Sequence, residues 1–112
     1  MPSTAMSLMM YYTVSTKRRP ATGITGIQSA PVLHLAALKT TPIDPLTEEI
    51  ALRLKIEVPV RFRVCYTTTD QDVAMGDVVV SNGREYVVKG LGEWDDHGEW
   101  FYEMILEIAQ NV

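Results

Sequence analysis

Cysteine is almost absent from this chain, with Cys65 standing alone among 112 residues. That excludes an internal disulfide and any thiolate cluster for zinc, so folding in a reducing cytoplasm is expected. Long apolar runs are missing as well. No stretch approaches the roughly 18 residues of a membrane-spanning helix, and the opening MPSTAMSLMMYY has neither the basic n-region nor the cleavage site of a secretory signal. The chain is expected to be neither exported nor held in a membrane. Histidine is scarce: His34 falls in an apolar run and His97 in a distant acidic loop, so no Ser/His/Asp or Cys/His set can be assembled from the spacing. The expectation is a protein that is not an enzyme and uses no cofactor.

Acids are absent from residues 1–43, where Lys17, Arg18, Arg19 and Lys39 supply the only charges, whereas residues 44–112 carry 14 acids against 6 bases. The two parts are built for different surroundings. Residues 1–29 are rich in Ser, Thr and Gly, with STKRRPATGITG at their centre, and are expected to form a flexible N-terminal arm preceding a domain over 30–112. Met9, Met10, Tyr11 and Tyr12 give that arm an apolar patch. Together with Lys17, Arg18 and Arg19 they are its candidate partner-binding residues, able to order on a neighbouring surface.

What remains is dominated by a period of two. In GDVVVSNGREYVVKG, Asn82 and Gly83 both tolerate positive φ, so the runs on either side pair as a hairpin with Val79 facing Tyr86 and Val78 facing Val87. Apolar side chains then emerge on both faces of the ribbon. One face can pack on the chain's own core, and the other needs a second layer, a neighbouring subunit or a partner. Strands are also expected after Pro31, in VPVRFRVCYT, where Val60, Phe62, Val64 and Tyr66 share the face taken as core, and in EWFYEMILEI, where Trp100, Tyr102, Met104, Leu106 and Ile108 do. About five strands with hairpin connections predict an all-β fold, a small antiparallel barrel closed to remove its edges.

One segment departs from that period. In TTPIDPLTEEIALRLKIE, Asp44 predicts an N-cap with Pro45 at the first helical position, Glu48 and Glu49 favour the helix start, and Ile50 and Leu54 recur at helical spacing. Residues 40–57 therefore form a long inter-strand connection carrying one short helix, either a contact loop or a cap on one end of the barrel. The loop GEWDDHGEW collects Glu93, Asp95, Asp96, His97 and Glu99 but lacks the spacing of any established metal loop, so no metal site is assigned to it. The glycines of GLG at 90–92 relieve a strand bend rather than cradle a phosphate.

The order PIDPLTEEIALRLKIEVP, then RFRVCYTTTDQDVAMGDVVVSNGREYVVKGLGEW, then WFYEMILEI resembles the head-closure proteins, also called stopper or head-tail joining proteins, of long-tailed bacteriophages. The likeness spans roughly residues 31 to 108. Gly76, Asp77, Asn82, Gly83, Tyr86 and Trp94 occupy the places of that family's Gly-Asp pair, hairpin turn, Tyr-centred strand and Trp-bearing loop. These are fold residues, and Gly76, Asp77, Asn82, Gly83 and Tyr86 define the hairpin. The resemblance implies a virion protein, made in the host cytoplasm and placed at the head-tail interface. There it would form a homo-oligomeric ring of about twelve copies beneath the portal and its adaptor, close the head, and meet the tail. Packaged double-stranded DNA would pass through or abut the lumen, and no membrane is involved. Residues 40–57 are then expected to face the channel, with Asp44, Glu48, Glu49, Arg53 and Lys55 as the closure segment. Two other readings keep the same barrel. It would be a nucleic-acid binding module of the OB or SH3-like type using Arg61, Arg63 and the basic arm, or a small metal protein or enzyme centred on Asp95, Asp96 and His97.

Overall fold

Asn82 and Gly83 sit at φ of 52° and 77°, the left-handed pair that a two-residue type I′ turn requires. They join β5 (Val78–Ser81) to β6 (Arg84–Asp96), in the expected register of Val79 opposite Tyr86 and Val78 opposite Val87. This computed structural model describes residues 10–19, 31–57, 59–96 and 98–109. Its other strands are β1 (Tyr12–Arg18), β2 (Val32–Thr40), β3 (Asp44–Pro45), β4 (Phe62–Thr68) and β7 (Glu99–Ile108), with one short helix, α1 (Glu48–Arg53), and a 3-10 turn at Pro59–Arg61. All pairings are antiparallel, and the order across the sheet is β2-β1-β5-β6-β7-β4-β3. The fold is all-β.

The expected barrel closure does not occur, since β2 and β3 are the two ends of the ladder. The ends nonetheless approach, because the chain runs from β2 through residues 41–43 directly into β3. Thr41 N donates to Tyr66 O at 3.0 Å, and the Thr67 hydroxyl donates to Lys39 O at 2.8 Å. What prevents a continuous ladder is the irregular edge. β2 shifts register against β1 between Val14 and Thr16 and again between Thr16 and Lys17, and a bulged edge twists away from further strand pairing. The Thr16 hydroxyl, fully buried, accepts from the Leu35 amide at 3.2 Å within this irregular stretch.

The arm is corrected as well. Residues 1–9 and 20–30, Met9 among them, lie outside the described residues, but Tyr12–Arg18 is β1, an interior strand with β2 on one side and β5 on the other. A boundary at residue 29 therefore does not mark where the sheet begins. Its Ser/Thr-rich composition resembles a linker, yet threonine is a strand former, and Val14 and Thr16 alternate into the core while their neighbours point out.

The core lies on one face of the rolled sheet, where Leu38, Cys65, Val79, Met104 and Leu106 are buried together. In β4 this face is the Cys65 and Thr67 side, not the Val64 and Tyr66 side expected from the sequence. The opposite face is also covered, since Phe101, Glu103 and Ile105 of β7 are buried alongside the core residues of the same strand. Arg53 of the 40–57 connection reaches Glu103 on this face, and Leu54 and Ile56 adjoin Gly90 and Ile105, so the chain itself covers part of the outer face of β6 and β7, while Val78, Val80 and Val87 of the hairpin stay half-buried.

A bulge makes β6 serve both layers. The register shifts between Val88 and Gly90, so Tyr86 and Val88 face the core before it and Leu91 after it, while Gly90 stands opposite Ile105 on the outer face. A Cβ on Gly90 would meet Ile105 Cβ and Cγ1 at 3.2 Å. Replacing Gly90 by valine is expected to overpack this crossing and cost about 1–3 kcal/mol in a urea unfolding titration. An unchanged midpoint would show that Ile105 has room to withdraw.

Candidate functional site

The helix that carries the expected closure residues begins three residues later than its sequence signals suggest. Asp44 and Pro45 pair with Val64 and Arg63 of β4 as strand β3, which holds the chain extended past the expected cap. Thr47 caps α1 instead, its hydroxyl accepting from Ile50 N at 3.2 Å. Glu48 and Glu49 lie exposed in the first turn, where the helix dipole favours them, and Lys55 beyond the last turn has φ of 57°.

Arg53 is the residue that fixes the helix. Its guanidinium donates to Glu103 Oε1 at 2.6 Å and lies 5.0 Å over the Trp94 ring. Glu103 is buried in β7 and also accepts from the Tyr66 hydroxyl at 3.0 Å. Three elements thus converge on one buried carboxylate. The Glu103 hydrogen bond holds the Arg53 pKa above its ordinary value. The Tyr66 phenol is pushed up to about 12, first by burial and then by the charge of Glu103. Beside this junction an open groove of about 370 Å³ runs between Leu54 and Ile56 on one side and Gly90, Gly92 and Ile105 on the other. Of the expected closure-segment residues, Arg53 is therefore committed within its own chain, whereas Asp44, Glu48, Glu49 and Lys55 are exposed.

A second junction engages the basic cluster of the expected arm. Arg18 grips Asp77 bidentately, Nε and one terminal nitrogen each donating to a carboxylate oxygen at 2.8 Å. Asp77 is 2% exposed and also accepts from the Ala74 amide at 3.0 Å. Its hydrogen bonds hold the Arg18 pKa above the usual arginine value. Arg18 reaches the exposed Asp72 too, which His34 Nε2 meets at 2.9 Å, and these two partners draw the Asp72 carboxyl below the ordinary carboxylate range. Lys17 Nζ pairs with Glu85 at 3.0 Å. Of the arm residues, Tyr11, Tyr12 and Arg19 are exposed and Met10 is half-buried.

Of the hairpin residues, Gly76, Asn82 and Gly83 serve the backbone, while the Asp77 carboxylate and the Tyr86 ring are buried. Gly76, at φ of 88°, donates to Val88 O, and Val88 N donates back to Asp77 O, both at 2.8 Å. This clasp fastens the strand entrance to β6. Trp100, expected in the core, is 52% exposed and stands opposite Asp95 near the tip of the β6–β7 hairpin. Among the described residues no group of three or more His, Cys, Asp or Glu is placed to hold a metal ion, and His97 lies outside them. No helix among them is long and apolar enough to cross a membrane.

Cys65 is fully buried against the core, and burial pushes its thiol up to about 12. Less thiolate at any given pH and no access to reagent both mean slower reaction, so the native thiol is expected to react at pH 8 far more slowly than the same chain in urea. Absorbance of a disulfide reagent in the two states checks this, and comparable rates would mean that the core opens locally.

No family model matches the chain, and no curated protein matches it. Among solved structures it is similar to xkdH, a protein of the phage-like element PBSX from Bacillus subtilis. The two share 15% sequence identity at a TM-score of 0.44, over 86% of this chain and 91% of that one.

Proposed function

We propose that this chain is a structural protein of the neck of a long-tailed phage. Copies form a ring of about twelve beneath the portal and its adaptor, close the DNA-filled head and offer the tail a docking surface. The observation that carries the reading is the resemblance in residue order, whose shared positions are fold residues here as well. Gly76 and Asp77 clasp β6, Asn82 and Gly83 make the turn, and Tyr86 packs into the core. The acidic balance of residues 44–112 suits a lumen that DNA passes without sticking, since strong nucleic-acid binders carry the opposite charge. The Trp-bearing hairpin is acidic too, which disfavours the nucleic-acid module.

Within this reading the 40–57 connection is the closure element. Its helix is six residues long, too short to persist alone, and Arg53 is its polar tie to the sheet. Release of that tie frees the segment to move toward the channel. Electron microscopy of the protein mixed with a portal–adaptor complex is expected to show a ring of added density beneath the adaptor, and its absence would overturn the neck assignment. Replacing residues 46–55 by a Gly-Ser linker, with Glu103→Gln so that no carboxylate is left buried unpaired, is expected to preserve the ring while packaged DNA leaks from tailless heads. Heads that kept their DNA would place closure elsewhere.

A further inference from the structure

The β6–β7 hairpin gives the molecule two unlike ends. β5 covers β6 only over Arg84–Val87, and β4 follows β7 as far as Phe101, with Thr69 just past it still donating to Trp100 O. Beyond these strands the β6–β7 ribbon continues through the pairs Asp95 with Trp100 and Asp96 with Glu99. Trp94 and Trp100 stand on opposite faces of it, 47% and 52% exposed. Trp94 is partly occupied by Arg53, whereas Trp100 stands across from Asp95, the Trp100 carbonyl accepting from Thr69 N at 3.3 Å. Residues 93–99 hold Glu93, Asp95, Asp96 and Glu99 and not one Lys or Arg.

The far end of β6 lies roughly 40 Å away at about 3.3 Å per residue, and it has the complementary character. There Tyr12, Ile43, Ser81, Asn82, Arg84 and Tyr86 line an open pocket of about 230 Å³. Tyr11 and Tyr12 lie exposed beside it, ring centroids 5.6 Å apart, and Arg84 is exposed at its rim. β2 ends and β4 begins at this end, bringing Lys39, Arg61 and Arg63 to it against Asp44, Glu85 and Glu107, of which Glu85 pairs with Lys17 and Glu107 faces Arg61.

We propose that the chain associates head to tail, with Trp100 on the acidic ribbon of one copy seated in the Tyr12–Arg84 pocket of a second copy. Exposed tryptophan, tyrosine and arginine are the residues that most often anchor interfaces. A guanidinium over an indole face adds attraction of its own. Charge selects the orientation, because ribbon against ribbon sets acids on acids, whereas ribbon against pocket sets acids on Arg84. A contact between two different patches repeats from copy to copy, closing into a ring where the rotation permits. The inference rests on the neck reading only for that closure, since the contact itself is a property of the chain alone.

Engineered cysteines test it cleanly, because Cys65 is buried. Full-length Glu93→Cys and Ser81→Cys chains, mixed at low salt under mild oxidation, are expected to give about tenfold more crosslinked dimer than either chain alone. Trp100→Ala in the first chain, or Arg84→Glu in the second, should cut the mixed product about tenfold, and about 0.5 M salt should reduce it as well. Circular dichroism confirms that each variant is folded. A mixed yield no greater than that of the single chains, or one indifferent to Trp100→Ala, overturns the contact and leaves the neck reading standing. Crosslinking without a ring on the adaptor would overturn the neck reading alone.

Discussion

A chain lacking residues 2–29 is expected not to fold. The deletion removes β1 from between β2 and β5, which leaves two strands without their shared partner in the interior of the sheet. It takes Val14 and Thr16 out of the core and strips Arg18 from the buried Asp77. Breaking a buried ion pair by removing one partner costs about 3–5 kcal/mol by itself, and the lost ladder and the cavity at Val14 come on top of it. A domain of this size has a net stability of about 5–15 kcal/mol. Far-UV circular dichroism and a urea titration of the truncated chain check the point. A cooperative transition with strand content near that of the full chain would show that the remaining six strands suffice and that β1 only decorates them.

Legibility followed the range of the interaction. The hairpin at Asn82 and Gly83 was readable because two adjacent residues determine the turn and the turn sets the register. The alternation in β7 was readable too, since Met104 and Leu106 do face the core. What escaped were pairings between distant segments. Asp77 looked like a turn residue beside Gly76, and nothing local says that its carboxylate is buried or that its partner lies 59 residues earlier in sequence. Arg18 belonged by composition to a polar stretch, and the strand around it is marked only by Val14 and Thr16 alternating among polar neighbours. In the same way Thr47 outcompeted Asp44 as helix cap because β4 holds Asp44 in a ladder, a constraint absent from the helix's own sequence. The faces of β4 are the reverse of its apolar pattern, because the side bearing Arg61 and Arg63 is the one whose Cys65 and Thr67 pack in the core. Val64 and Tyr66 are apolar or aromatic enough for a core, yet they face the second layer, where Tyr66 meets Glu103. A barrel would hide both edges, and the chain instead carries a bulged β2 at one edge.

The Arg18–Asp77 pair should behave asymmetrically on mutation. Arg18→Met is expected to destabilise the fold by about 3–5 kcal/mol, because it leaves the Asp77 carboxylate buried with only the Ala74 amide as partner. Asp77→Asn is expected to cost less, about 1–3 kcal/mol. The amide keeps the shape of the carboxyl, and the Arg18 it leaves behind is partly exposed and still reaches Asp72. Combining the two should restore part of what Arg18→Met loses, since no unpaired charge is then buried, and the double variant should be more stable than Arg18→Met alone. Urea midpoints of the four proteins give the coupling directly. If Arg18→Met shifted the midpoint by no more than a surface substitution does, Asp77 would be satisfied without Arg18. The basic cluster would then be available for partners, as its place in the sequence first suggests. If instead the cycle shows strong coupling, Arg18 is a structural counter-ion, and any binding by this stretch must rest on Tyr11, Tyr12 and their neighbours at the other end of β1.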